Sequence, residues 1–206
     1  MSKRFFDVLV SALGLLVLAP VLAVLAVLVA ILNGRPVLFR QRRVGRGGRE
    51  FMLYKFRTMT VATGTEAGSF DAGSAARVTP LGRLLRRAKL DELPQLWNVI
   101  RGEMSLVGPR PEVRKWVDAY PERWRYVHTV RPGITDPASI VYRNEEAILA
   151  NAADPEGLYR NEILPHKLSL YEEYVRSRTL RGDLRILMRT ASALFRREAD
   201  ERLRPP

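Results

Sequence analysis

The sequence predicts a mainly helical α+β fold attached to a membrane through its N-terminal segment. Three observations predict it: an apolar run from Phe5 to Leu32, two extended pieces between Val37 and Thr58, and helical spacing of apolar residues from Leu180 to Leu203. A chain of 206 residues can hold one domain with a core, or a modest domain plus a membrane element. The apolar run selects the second.

That run is too long for the h-region of a cleaved signal peptide, and no small-residue cleavage site clearly follows it. Its roughly 28 residues at about 1.5 Å each reach about 42 Å, more than the roughly 30 Å hydrocarbon core. Pro20 sits near the middle and favours a kink. Both flanks are basic, with Lys3 and Arg4 before and Arg35, Arg40, Arg42 and Arg43 after. A tilted span with its C-terminus inside and a bent helix entering and leaving by the same face both satisfy these features.

After the stop at Asn33-Gly34-Arg35-Pro36, Val37 to Arg43 and Glu50 to Thr58 read as a β-hairpin around Gly45-Arg46-Gly47-Gly48. Alternation puts Phe51, Leu53, Lys55 and Arg57 on one face and Met52, Tyr54 and Phe56 on the other, so the second strand either carries two cations toward a site or is a solvated edge. Val61 to Ala76, rich in small residues and without an apolar period, predicts a mobile loop that could serve as a lid. Thr79-Pro80 reads as a cap and first helical position, followed by a stripe of Leu81, Leu84, Leu85 and Ala88 among Arg83, Arg86 and Arg87. A second helix runs through Leu96 to Ile100 and stops near Gly102. Beyond it, Glu112 to Tyr120 is predicted helical, Arg131-Pro132-Gly133 is a break, and Ser139 to Tyr142 is a short strand. From Leu180 the apolar residues Leu184, Leu187, Met188, Ala191, Leu194 and Phe195 share a helical face with arginines elsewhere, as in an interfacial amphipathic helix or a core-facing one.

The formal charge is +12, and all but five of the 34 basic residues are Arg. Such a surface attracts nucleic acid, acidic headgroups or phosphorylated substrates, and arginine favours forked contacts to phosphate. Without cysteine there is no disulfide framework, thiol nucleophile or thiolate metal site.

Asp91 and Glu92 are adjacent carboxylates set between arginine-bearing segments. Asp91 reads as a helix N-cap with Glu92 and Pro94 in the first turn, where backbone donors favour the ionised acid. That placement is compatible with catalysis. A carboxylate can attack phosphorus to form an acyl phosphate, a second can hold Mg²⁺ together with substrate phosphates, and arginines can neutralise the transferring group. His128 and His166 lack metal-ligand spacing and read as surface or packing residues. Trp97, Trp116 and Trp124 read as anchors, with one aromatic between Trp116 and Tyr126 available to line a nucleotide site. Two noncatalytic readings explain the charge as well: a membrane-tethered nucleic-acid-binding protein and a scaffold that binds anionic lipid.

Taken in order, Lys3-Arg4-Phe5-Phe6-Asp7, the apolar run with Pro20, Phe39-Arg40-Gln41-Arg42-Arg43-Val44-Gly45, Lys55-Phe56-Arg57-Thr58-Met59, Leu90-Asp91-Glu92-Leu93-Pro94-Gln95, Met104-Ser105-Leu106-Val107-Gly108-Pro109-Arg110-Pro111-Glu112 and Arg131-Pro132-Gly133-Ile134-Thr135 resemble the bacterial sugar transferase family. These are the monotopic phosphoglycosyl transferases, and the likeness covers nearly the whole chain in a minimal catalytic form. The resemblance implies transfer of a sugar 1-phosphate from a UDP-sugar to undecaprenyl phosphate with release of UMP, in the first membrane step of bacterial glycan assembly. It implies Asp91 as a nucleophile that forms a covalent phosphosugar intermediate in a ping-pong mechanism, and Glu92, beside Asp91, as a ligand to Mg²⁺. Arg86, Arg110 and Arg143 match family arginines near the substrate phosphates, and Lys55 and Arg57 match its basic segment.

The implied architecture is a re-entrant helix-break-helix over residues 1–35, broken at Pro20, and a cytoplasmic catalytic domain over residues 36–206 with a C-terminal interfacial helix. The implied location is the cytoplasmic face of the bacterial inner membrane, among membrane lipids, without nucleic acid, and with a homodimer left open. Two departures stand out. Ala19-Pro20 replaces the family's Ser-Pro pair, and Asp136 to Glu146 differs from relatives, which continue with Gly-x-Ala-Gln-Val; only Arg143-Asn144 is retained.

Overall fold

The apolar run folds as one helix, α1 (Lys3–Leu32), in the computed structural model, which describes residues 3–60 and 77–195. The expected interruption at Pro20 is not an interruption of the helix: Pro20 lies inside it. A proline removes one hydrogen bond and favours a kink, and turns held by their own bonds on either side keep such a helix continuous. Most of its apolar side chains face outward, Leu16, Val17 and Ile31 each 73% exposed, while only Asp7, Ser11, Leu25 and Val29 are buried. Among the described residues it is the one helix long and apolar enough to cross a membrane.

Both ends of α1 are fastened to the rest of the protein. At its start Lys3 Nζ donates to the carbonyl of Val107 at 3.0 Å and pairs with Asp183, and Arg4 donates to the carbonyls of Val99 and Ile100 at 2.7 and 3.0 Å. Asp7 accepts from Ser105 Oγ at 2.7 Å inside the fold. At its end Leu25 and Val29 pack with Phe56 and Leu85, and Arg57 donates to the carbonyls of Asn33 and Arg35.

The hairpin forms as expected. β1 (Leu38–Val44) and β2 (Glu50–Phe56) pair antiparallel, with Leu38 opposite Phe56 and Val44 opposite Glu50. The turn depends on glycine, since Gly47 and Gly48 both have positive φ. Strand β2 is buried on both faces: Leu53 packs with Val99 and Met104, and Phe56 with the end of α1. It is therefore not a solvated edge.

Thr58 and Thr79 are hydrogen-bonded through their backbones at 3.0 Å. The predicted loop and lid of residues 61–76 lie outside the described residues. Helix α2 (Pro80–Arg87) begins as read, with Thr79 Oγ1 accepting from Gly82 N at 2.9 Å. Its buried side is Gly82 and Leu85, while Leu84 of the predicted stripe is exposed. Close docking decides this, because a Cβ on Gly82 would sit 2.0 Å from the carbonyl oxygen of Thr58.

Helix α3 (Gln95–Arg101) ends at Gly102, whose φ of 86° supplies the left-handed stop. Strand β3 (Ser105–Val107) then pairs in parallel with β4 (Gly133–Thr135). The strand expected at Ser139 to Tyr142 is instead helical, α6 (Pro137–Val141). Asp136 caps it by accepting from Ser139 N at 2.9 Å, with Pro137 at the first position, and this cap outweighs the β-branched Ile140 and Val141. The helix predicted from Glu112 to Tyr120 is shorter, α4 (Arg114–Ala119), and Pro121 opens a further one, α5 (Pro121–Val127).

The main core lies in the second half. Helix α7 (Glu145–Ala150) leads to α8 (Pro155–Leu158), which passes through a π turn, Tyr159–Ile163, into α9 (Leu164–Ser177). Trp116, Trp124, Leu149, Leu164, Leu168 and Tyr171 pack together there, and His128 stacks on Trp124 with ring centroids 5.0 Å apart. Trp116, Trp124 and His128 are thus packing residues, whereas Trp97 is half exposed. The last helix, α10 (Leu180–Phe195), rests Ile186 and Leu187 against Leu106 and Val107 and leaves Leu184 and Met188 exposed. It serves the core with one side and offers an apolar strip on another; the remainder of the predicted helix to Leu203 lies outside the described residues.

Candidate active site

Just beyond α2, Lys89 takes the left-handed conformation (φ 55°), an uncommon state for a side-chain-bearing residue. The reversal lets a 3-10 turn, Leu90–Glu92, follow at once, placing Asp91 and Glu92 between α2 and α3. Both carboxylates are buried, at 6% and 7% exposure. The N-cap reading of Asp91 does not hold. The cap position of α3 is Pro94, and Asp91 Oδ1 is buried with no hydrogen-bond partner among the described residues.

The two acids differ electrostatically because their neighbours differ. Lys55, delivered by β2, bonds Glu92 Oε1 at 2.9 Å. Arg110, from the Gly108-Pro109-Arg110-Pro111 turn, reaches the same oxygen with Nη2 and Glu92 Oε2 at 3.3 Å with Nη1. Burial pushes the Glu92 carboxyl up, but Arg110 and Lys55 overcome it and hold the group well below the usual carboxylate range. Glu92 in turn raises Arg110. Asp91 moves the other way: burial raises it, Lys55, Lys89 and Arg86 only partly offset this, and the charge on Glu92 raises it further. The pair therefore comprises a firmly ionised, cation-bound Glu92 and a desolvated Asp91 whose Oδ1 has no hydrogen bond among the described residues. Desolvation of that kind raises the basicity of a carboxylate oxygen.

The turn carrying Arg110 is held by close backbone crossing. A Cβ on Gly108 would lie 2.5 Å from the carbonyl of Arg131, and one on Gly133 would lie 2.1 Å from Gly108 N. Arg86 stands at the rim, its Nε donating to Thr58 Oγ1 at 2.9 Å and its Nη1 to Glu146 at 2.8 Å. Thus Arg86, Lys55 and Arg110 converge on the acidic pair. Arg57 does not: both terminal nitrogens engage the carbonyls after α1. Arg143 is exposed in the turn between α6 and α7, three residues before the Glu146 that meets Arg86.

Several contributors escaped the sequence reading. Lys89 stands two residues before Asp91, a signal available in the primary structure. Asp136, fully buried, acts electrostatically on Arg110 from a distant segment and had no local sign beyond its cap. Asn98 ties α3 to β2, accepting from Tyr54 N at 3.3 Å and donating to the carbonyl of Met52 at 2.7 Å. Among the described residues no three His, Cys, Asp or Glu side chains cluster as a metal site.

The profile of the bacterial sugar transferase family matches residues 1–197. The chain is 40% identical over 143 residues to the UDP-N-acetylgalactosamine-undecaprenyl-phosphate N-acetylgalactosaminephosphotransferase of Aeromonas hydrophila, covering 68% of this chain and 34% of that protein. It is 36% identical over 211 residues to the undecaprenyl-phosphate glucose phosphotransferase of Komagataeibacter xylinus, covering 97% and 37%. It is also 36% identical over 199 residues to the UDP-glucose:undecaprenyl-phosphate glucose-1-phosphate transferase of Caulobacter vibrioides, covering 95% and 70%. It thus spans about a third of the length of the first two relatives and 70% of the third. With the profile matched almost end to end and the motif residues Lys55, Asp91, Glu92 and Arg110 gathered at one place, this chain belongs to the bacterial sugar transferase family.

Proposed function

We propose that the protein transfers a sugar 1-phosphate from a UDP-sugar to undecaprenyl phosphate, releasing UMP, through a covalent intermediate on Asp91. The names of its relatives support the substrates. The single observation that carries the mechanism is Asp91 itself: buried, its Oδ1 without a hydrogen bond among the described residues, and beside a carboxylate bound by two cations. A noncatalytic lipid- or nucleic-acid-binding protein does not require such an acid.

In the first half-reaction an Asp91 oxygen attacks the phosphorus that bears the sugar. The new bond is an acyl phosphate, the phosphoanhydride bond breaks, and the bridging oxygen leaves with its electron pair on UMP. In the second, an oxygen of the lipid phosphate attacks the same phosphorus and Asp91 departs as carboxylate. Lys55 and Arg110 hold Glu92 in place and contribute positive potential where the phosphates gather, and Arg86 exchanges Glu146 for a phosphate oxygen at the rim. Arg143 lies close enough in the chain to Glu146 to join it.

The donor set fits Mg²⁺. Glu92 Oε1 carries both cations while Oε2 has only the 3.3 Å contact from Arg110, and this ion commonly uses one or two carboxylates together with phosphates and water. Glu92 would hold it through Oε2, beside Asp91, and when bound it would neutralise charge on the donor diphosphate.

The same reading places the protein on the cytoplasmic face of the inner membrane with α1 re-entrant. Thirty residues at about 1.5 Å would carry a straight helix about 45 Å, so a span would separate its ends across the bilayer. Here the start is bonded to Val107, Asp183 and Ser105, and the end to Arg57, all parts of one body. That shared attachment supports same-side ends, with Pro20 as the place for a bend.

Mass spectrometry after exposure to UDP-glucose or UDP-N-acetylgalactosamine should find an added sugar phosphate on Asp91 and none in Asp91→Asn. UMP released only when lipid acceptor is present, with no adduct, would establish direct transfer instead. Single cysteines introduced at Ser2 and at the exposed Arg46 should label from the same side of the membrane, and labelling from opposite sides would rule out the re-entrant topology.

A further inference from the structure

Residues 91, 92, 95, 98 and 99 are buried, the spacing of one helical face, and four of them are polar: Asp91, Glu92, Gln95 and Asn98. Two are bonded to neighbouring segments. Glu92 is bound by Lys55 and Arg110, and Asn98 accepts from Tyr54 N and donates to Met52 O and to Glu103, the last two at 2.7 Å. Between them lies Gln95, 1% exposed, with Nε2 buried and unbonded among the described residues. Asp91 Oδ1, four residues earlier on the same face, is the matching orphan acceptor. Successive backbone bonds from Leu93 N to Leu90 O, Leu96 N to Leu93 O and Trp97 N to Pro94 O wind this stretch tightly, so the two buried side chains lie little more than one turn apart, and neither bonds the other. Folds seldom leave buried polar groups unbonded, and each exception calls for a reason.

We propose that Gln95 is a positioning residue for Asp91: in the donor complex its Nε2–H donates to Asp91 Oδ1, fixing the carboxylate plane and leaving Oδ2 to meet phosphorus. The inference rests on Asp91 being the nucleophile. Burial favours the carboxylate over the substrate as acceptor, since Nε2 is shut off from solvent whereas Arg86 at the rim is 26% exposed.

The test is Gln95→Met in the full chain, measuring the UMP burst without lipid acceptor, the affinity for the UDP-sugar that gives the burst, and the Tm. One charge-assisted hydrogen bond made in the transition state corresponds to a burst about 10- to 100-fold slower. Affinity should be unchanged and Tm equal or higher, because the orphan donor is gone. A wild-type burst rate would overturn the proposal, as would weaker affinity with an unchanged burst at saturation, which would put the amide on the substrate. A burst loss matched by a lowered Tm would also overturn it, as a structural effect. Should the Met variant not fold, Gln95→Leu removes the donor without adding charge and must slow the burst; normal speed there refutes the idea. Absence of any burst or Asp91 adduct in the unaltered protein removes the nucleophile and this inference together, whereas a normal wild-type burst with an unaffected variant removes Gln95 alone.

Discussion

Arg57 offers a choice between a phosphate ligand and a structural clamp. Its Nη1 donates to Arg35 O at 2.9 Å and its Nη2 to Asn33 O, while Asn33 Nδ2 returns a bond to the carbonyl of Arg57 at 2.9 Å. Arg57→Met removes two charge-assisted bonds, each contributing about 1.5–3 kcal/mol. Release of the guanidinium from a site where it is 6% exposed offsets part of that loss, leaving a net destabilisation of about 2–4 kcal/mol. In a chain of this size each kcal/mol shifts Tm by about 2–4 °C, so a fall of about 4–16 °C is expected. Thermal unfolding in detergent should be paired with UMP-release kinetics below both transitions, where KM for the UDP-sugar should stay within about twofold. An unchanged Tm with KM raised about tenfold or more would refute the clamp and return Arg57 to the substrate phosphates.

Asp91→Asn should abolish the adduct while leaving Tm equal or higher, because a desolvated carboxylate without a partner is replaced by a neutral amide; a large fall in Tm would show that Asp91 is a structural acid. Burial, and then Arg114, push His128 down to about 4 from an ordinary 6.5. Its folded pKa lies below the unfolded one, so its contribution is complete above about 6.5 and lost as pH falls toward about 4, up to about 3 kcal/mol. His128→Phe, which keeps a ring against Trp124, should flatten the Tm–pH slope in that window, and an unchanged slope would exclude His128 as the source. Gly82→Ala places a Cβ 2.0 Å from the Thr58 carbonyl and should cost about 1–3 kcal/mol while shifting Arg86; a neutral variant, read by Tm and UMP release, would contradict the close docking of α2.

The local elements were legible where chemistry within a few residues decides them. The Thr79-Pro80 cap, the Gly102 stop and the glycine turn of the hairpin all formed as read, and so did the apolar character of α1. The strand expected at Ser139 is a helix instead because the Asp136-Pro137-Ala138-Ser139 cap, a local signal, outweighs the β-branched propensity of Ile140 and Val141. Leu84 and Leu85 could not be told apart on a two-turn helix without knowing that Gly82 docks on Thr58.

For the site, the sequence by itself determined the membership list: two adjacent acids, basic segments around them and an apolar helix upstream, all readable as residue types in order. Tertiary structure decided what each member does, because burial and charge pairing depend on segments far apart in the chain. Lys55 and Arg110 select Glu92, lowering it and leaving Asp91 unpaired, although the two acids are neighbours of the same chemical kind. Arg57, two residues from Lys55 on the same predicted face, is drawn to the carbonyls ending α1 instead. A carboxylate's role follows from which cations reach it, and that distance is set only when the chain has folded.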